Sequence, residues 1–128
     1  MRVLIAEDNR TVAGTLAAMV GASQHEVVEM VGSGIEAIHA YDRHKPDVVV
    51  MDYMMAGLNG VTACRNILAK DPAARIVIVS GAIGRQDLAV TRCGASAILQ
   101  KPIHLRELKE AIEATRTPDV PEGDQQAA

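Results

Sequence analysis

Four short, nearly uninterrupted apolar runs each stop at a residue able to do chemistry. Val3-Leu4-Ile5-Ala6 runs into Glu7-Asp8, and Val48-Val49-Val50-Met51 into Asp52. Ile76-Val77-Ile78-Val79 runs into Ser80, and Ala97-Ile98-Leu99-Gln100 into Lys101. Runs this short and this rich in β-branched residues read as strands buried on both faces, the mark of a parallel sheet. A looser run over residues 26–31 contains Glu26 and Glu29 and is predicted to be a strand at a sheet edge. In open parallel sheets, sites form outside the carboxyl ends of the strands. Three carboxylates, a hydroxyl and an ammonium are therefore predicted to meet at one edge, a site suited to a divalent cation and a phosphoryl group.

Helical spacing fills the gaps between these runs. Val12, Leu16, Met19 and Val20 form one stripe. Ser33-Gly34-Ile35-Glu36 has the form of a capping box, with Ile35 and Ile38 opening the apolar face behind it, and Lys45-Pro46 ends that helix. Gly60 opens a third helix with Val61, Cys64, Ile67 and Leu68 on one face and Asp71-Pro72 at its close. Leu88, Ala89 and Arg92-Cys93 suggest a short fourth helix before Gly94, and Leu105, Leu108 and Ile112 a final one. Five strands alternating with five helices imply right-handed crossovers and an α/β, doubly wound parallel sheet. The strands around Val49 and Val77 are predicted to be central. With no Phe, no Trp and two Tyr in 128 residues, the core must be built from Val, Ile, Leu, Ala and Met. Residues 1–116 form one domain on this reading. Residues 117–128 have no apolar period to repay their ordering entropy and are predicted to be a disordered tail or the start of a linker.

Bulk properties remove several function classes. A net charge of −3 gives no surface for direct nucleic-acid binding or for an anionic membrane. The first apolar run is too short for a signal peptide, and no run approaches a membrane span, so a soluble, cytoplasmic protein is predicted. Cys64 and Cys93 have no CxxC or CxxH spacing and read as reduced thiols. His25, His39, His44 and His104 lack metal-ligand spacing, and Gly57-Leu58-Asn59-Gly60 matches no nucleotide-binding loop.

The acidic edge has its own logic. Two carboxylates ~4 Å apart repel by roughly 4 kcal/mol at an effective dielectric near 20. Glu7, Asp8 and Asp52 in one crevice therefore call for a cation. Mg²⁺ suits hard oxygen ligands and keeps several waters. Asp52 would then face an incoming phosphoryl group as a nucleophile, with Lys101 balancing charge and the Ser80 hydroxyl donating to a phosphoryl oxygen.

Glu7-Asp8, Asp52, Gly60, Ser80, Cys93-Gly94-Ala95 and Lys101-Pro102 stand in the order, and near the spacing, of one known family. Over residues 2 to about 116 the chain resembles the receiver domain of two-component response regulators. The resemblance implies a flavodoxin-like (βα)₅ fold with strand order 2-1-3-4-5. It implies that Asp52 accepts a phosphoryl group from a phosphohistidine on a sensor histidine kinase or a histidine phosphotransfer protein. Asp8, Asp52 and the backbone carbonyl of Met54 would bind Mg²⁺, with Glu7 acting through water, and Lys101 would pair with the phosphoryl group beside a cis Lys101-Pro102 bond. Such a protein is not an enzyme in the usual sense, but catalyses its own phosphorylation and dephosphorylation. Met54 and Ala82 occupy the two positions that hold the hydrolytic water in the family and cannot orient one, which implies slow dephosphorylation. Ile98 stands where an aromatic residue is frequent, and Met55-Ala56 where Met-Pro is frequent. Output would pass to an unidentified partner or to an effector domain beyond residue 128. Two other readings compete. An aspartyl-phosphate phosphohydrolase would need a second acid in an Asp-x-Asp signature, and Asp52 is followed by Tyr53-Met54. A degenerate receiver used only for docking would not need the complete set of Glu7, Asp8, Asp52, Ser80 and Lys101.

Overall fold

The computed structural model describes residues 1–55, 57–81 and 93–115. Within them the elements run β1(Arg2–Ala6), α1(Arg10–Ala22), β2(Glu26–Val31), α2(Gly34–His44), β3(Val48–Asp52), α3(Gly60–Lys70), β4(Ile76–Ser80), β5(Ala97–Gln100) and α4(Leu105–Ala114). The short helix expected before Gly94 and the tail from residue 117 lie outside the described residues. All strands are parallel and the sheet order is β2-β1-β3-β4-β5. This is the flavodoxin-like arrangement, with the loosely patterned residues 26–31 at one edge and Val49 in the middle strand. Among the described residues, no helix is long and apolar enough to cross a membrane.

Two apolar layers sandwich the sheet, and the period of two along each strand assigns residues to them. Leu4, Val49, Met51, Ile76 and Ile78 pack with Ala37, Ala40, Tyr41, Val61, Cys64 and Ile67 of α2 and α3. Val3, Ile5, Val48, Val50, Val77 and Val79 pack with Leu16 and Val20 of α1 and Leu108 and Ile112 of α4. Every residue of β3 and β4 is buried, which is why those runs read as continuous rather than alternating.

Three helices begin on a side-chain cap. Asn9 Oδ1 accepts from Val12 N, Ser33 Oγ from Glu36 N, and Asn59 Oδ1 from Thr62 N, at 2.9–3.1 Å. The predicted box at Ser33 forms with a variation: Glu36 Oε1 reaches back to Gly32 N, one residue earlier than the usual partner. Two predicted core positions are corrected. Ile35 is 55% exposed and Leu105 is 45% exposed. Both lie in the first turn of their helices, ahead of the residues that meet the sheet, and the buried face of α2 is instead Ala37, Ala40 and Tyr41.

Candidate functional site

Strand register collects the polar ends. Ala6 pairs with Met51, Asp52 with Val79, and Ser80 with Gln100. The residues that end or follow β1, β3, β4 and β5 therefore share one edge. The switch point of the sheet lies there too, because β1 is followed by β2 on one side and β3 is placed on the other. Lys101 N donates to the Ser80 carbonyl at 2.7 Å and Glu7 N to the Val31 carbonyl at 2.9 Å, so the backbone fixes both side chains' roots.

One oxygen each of Glu7, Asp8 and Asp52 falls within 4.8 Å of the others. Glu7 and Asp52 are both only 4% exposed, Ser80 is fully buried, and Asp8 is open to solvent. Lys101 Nζ donates to Glu7 Oε1 at 2.9 Å and lies 3.3 Å from Asp52 Oδ1. The other Glu7 oxygen accepts from Asn9 N at 3.1 Å. Burial, followed by the nearby charge of Glu7, pushes the Asp52 carboxyl up to about 6 despite the Lys101 ammonium. For Lys101, burial by itself disfavours the ammonium, but the Glu7 hydrogen bond and the Asp52 charge outweigh it and the pKa rises.

The loop after β3 is shaped by a close approach. Gly60 N donates to the Tyr53 carbonyl at 2.8 Å, and a Cβ at Gly60 would strike the Asp52 backbone carbonyl. Glycine is required there because the helix start passes directly over the strand end that carries Asp52. Met54 follows with a side chain 63% exposed, while Met55 turns into the core. Ala82 lies outside the described residues. The Lys101-Pro102 peptide is cis.

The donor set fits a hard divalent cation: three carboxylates converge, one of them solvent-facing, with no nitrogen or sulfur ligand among them. Two features were not legible in the sequence. The resemblance pairs Lys101 with a phosphoryl group, whereas here it neutralises Glu7 and Asp52 directly. Asn9 carries no motif that marks it, yet its side chain caps α1 and its backbone N–H holds Glu7. Beside Lys101, a mostly apolar groove of about 450 Å³ runs between α1 and residues 101–103, lined by Val12, Leu16, Pro102 and Ile103 among others.

Comparison with known proteins agrees with this geometry. The family model described as the response regulator receiver domain matches residues 3–113. A chemotaxis protein CheY from Listeria monocytogenes is 34% identical over 115 residues, covering 88% of this chain and 96% of that protein. The transcriptional regulatory protein PdtaR from Mycobacterium tuberculosis is 38% identical over 114 residues, 88% of this chain but 55% of the relative. The crystal structure of a LuxR-family two-component response regulator from Aurantimonas sp. SI85-9A1 superposes with a TM-score of 0.85 at 31% identity, over 91% of this chain and 85% of that one.

Proposed function

The chain belongs to the response regulator receiver domain family, and on that premise we propose that it is the phosphoacceptor module of a two-component phosphorelay, with Asp52 taking the phosphoryl group. The observation that carries the reading is Lys101 Nζ placed between Glu7 and Asp52, at 2.9 and 3.3 Å, in a crevice of three carboxylates. Phosphoryl transfer is mostly positioning and charge neutralisation, and this set supplies both. The Asp52 carboxylate attacks phosphorus in line while the bond to the donor's histidine nitrogen breaks, and the imidazole leaves with that electron pair. Lys101 moves part of its hydrogen bonding from Glu7 to a phosphoryl oxygen, and the Ser80 hydroxyl donates to another. Asp8, Asp52 and the Met54 carbonyl would hold Mg²⁺, with Glu7 acting through water. Bound there, the ion supplies charge neutralisation at the acceptor.

The donor is a sensor histidine kinase or a histidine phosphotransfer protein, and the apolar groove beside Lys101 gives such a protein a surface next to the acceptor. Residues 1–116 are assigned to the receiver unit and residues 117–128 to a tail or linker. The test is uptake of one phosphate from acetyl phosphate, dependent on Mg²⁺ and abolished by chelation. Continuous turnover with no phosphoprotein would point to a phosphohydrolase, and no uptake to a docking module.

Three further results are expected. Asp52 attacks only when ionised. With its pKa at about 6, uptake at limiting Mg²⁺ should fall as pH drops through that value. A rate that stays level through that drop would contradict this. Mg²⁺ affinity should depend on Asp8 more than on Glu7, because both Glu7 oxygens are already engaged by Lys101 and Asn9 N while Asp8 is open. Calorimetric titration of Asp8→Ala and Glu7→Ala checks this, and equal losses would remove the asymmetry. Finally, Ile98 is half-buried against the α2–α3 layer and pairs with Ile78 in register. With no large ring to relocate, phosphorylation should shift amide resonances around Asp52 and Ser80 and leave Arg106 and Lys109 nearly unchanged. Large shifts at those two residues would argue for a wider rearrangement.

A further inference from the structure

The two cysteines of the chain sit together, away from the acid cluster. Cys64 lies on the buried face of α3, and Cys93 stands 29 residues later, just ahead of the turn into β5. Both thiols are reduced and buried in the same apolar layer. Cys64 Sγ donates to the Cys93 carbonyl at 3.6 Å, which sets the two residues against each other. Next to them, Gly94 has φ of +94°, and a Cβ there would come within 2.7 Å of Leu68 Cδ1. The turn is thus pressed onto α3 and keeps Cys93 against Cys64. No third cysteine exists to scramble a bond between them.

We propose that Cys64 and Cys93 form a redox site, a buried dithiol that a peroxide closes into an intramolecular disulfide. Cys93 is 4% exposed and Cys64 is sealed, so Cys93 reacts first. Its sulfur attacks one peroxide oxygen, the O–O bond breaks, and a sulfenic acid and one molecule of water result. Cys64 sulfur then displaces that oxygen as a second water, taking its own proton with it. The two thiols lose two electrons and the peroxide gains them. Burial pushes the Cys64 thiol up to about 12, which makes it a poor first nucleophile and confines it to the resolving step. The bridge would pin α3 to the segment entering β5, whose far end carries Lys101.

Wild-type protein treated with stoichiometric hydrogen peroxide should become lighter by about 2 Da and yield one linked peptide pair containing Cys64 and Cys93. The linked form should resist alkylation in denaturant, unfold at higher urea concentration than the reduced form, and revert with dithiothreitol. In Cys64→Ala, peroxide should leave a Cys93 sulfenic acid that dimedone captures. Cys93→Ala should give no link and little capture at Cys64. The proposal is overturned if both wild-type cysteines remain open to alkylation, if the only bridges join separate molecules, or if each sulfur passes to higher acids without linking.

Discussion

Asp52→Asn should take up no phosphate from acetyl phosphate with Mg²⁺, while the metal-free variant is more stable than wild type at neutral pH. The sign follows from the pKa. The folded state holds the Asp52 proton more tightly than the unfolded chain, with the carboxyl raised from 3.8 to about 6. Stability from that proton is present at low pH and is lost as pH rises between those values, leaving a buried carboxylate that the fold must tolerate. The amide has no such charge. The difference should reach about 1–3 kcal/mol above pH 7 in chelator, the lower figure allowing for the partner that Lys101 loses, and should vanish near pH 3. Urea unfolding of both proteins across pH measures it. An Asn variant less stable than wild type at neutral pH would mean that the Lys101–Asp52 attraction exceeds the cost of burying the carboxylate.

Gly60→Ala should damage both fold and site, in contrast to Gly14→Ala. Its new methyl group would press on the Asp52 carbonyl, so either α3 or the end of β3 must move. A loss of about 1–3 kcal/mol is expected from the overpacking. Because Asp52 itself is displaced, phosphate uptake should slow by roughly 10–100-fold as well. Gly14→Ala in α1 is the control. Nothing lies within 4 Å of its added Cβ, and alanine in a helix interior should gain about 0.5–1 kcal/mol. Parallel thermal unfolding and uptake assays separate the two cases. If Gly60→Ala behaves like Gly14→Ala, the close approach does not govern the loop.

The fold was legible because burial on both faces leaves an unmistakable trace in β1, β3 and β4. Strand ends were legible because the chemistry begins where the apolar run stops, as at Asp52 and Ser80, each the last residue of its strand. Side-chain partnership was not. Lys101 is 94 residues from Glu7, and no periodicity reports which of two nearby carboxylates an ammonium will choose. Ile35 misled for a related reason: helical spacing shows that a residue can share an apolar face, but not whether the sheet extends far enough to cover it. The Cys64–Cys93 proximity was hidden too, since it depends on a turn at Gly94 folding back on Leu68 rather than on any local motif.

Transfer from a phosphohistidine donor, followed by borohydride trapping of the acyl phosphate and peptide mapping, tests the central claim most directly. Wild-type protein should carry a single trapped modification, at Asp52, and only when Mg²⁺ is present. A modification at any other residue, or none under conditions where the protein binds Mg²⁺, would contradict the assignment of Asp52 as the phosphoacceptor.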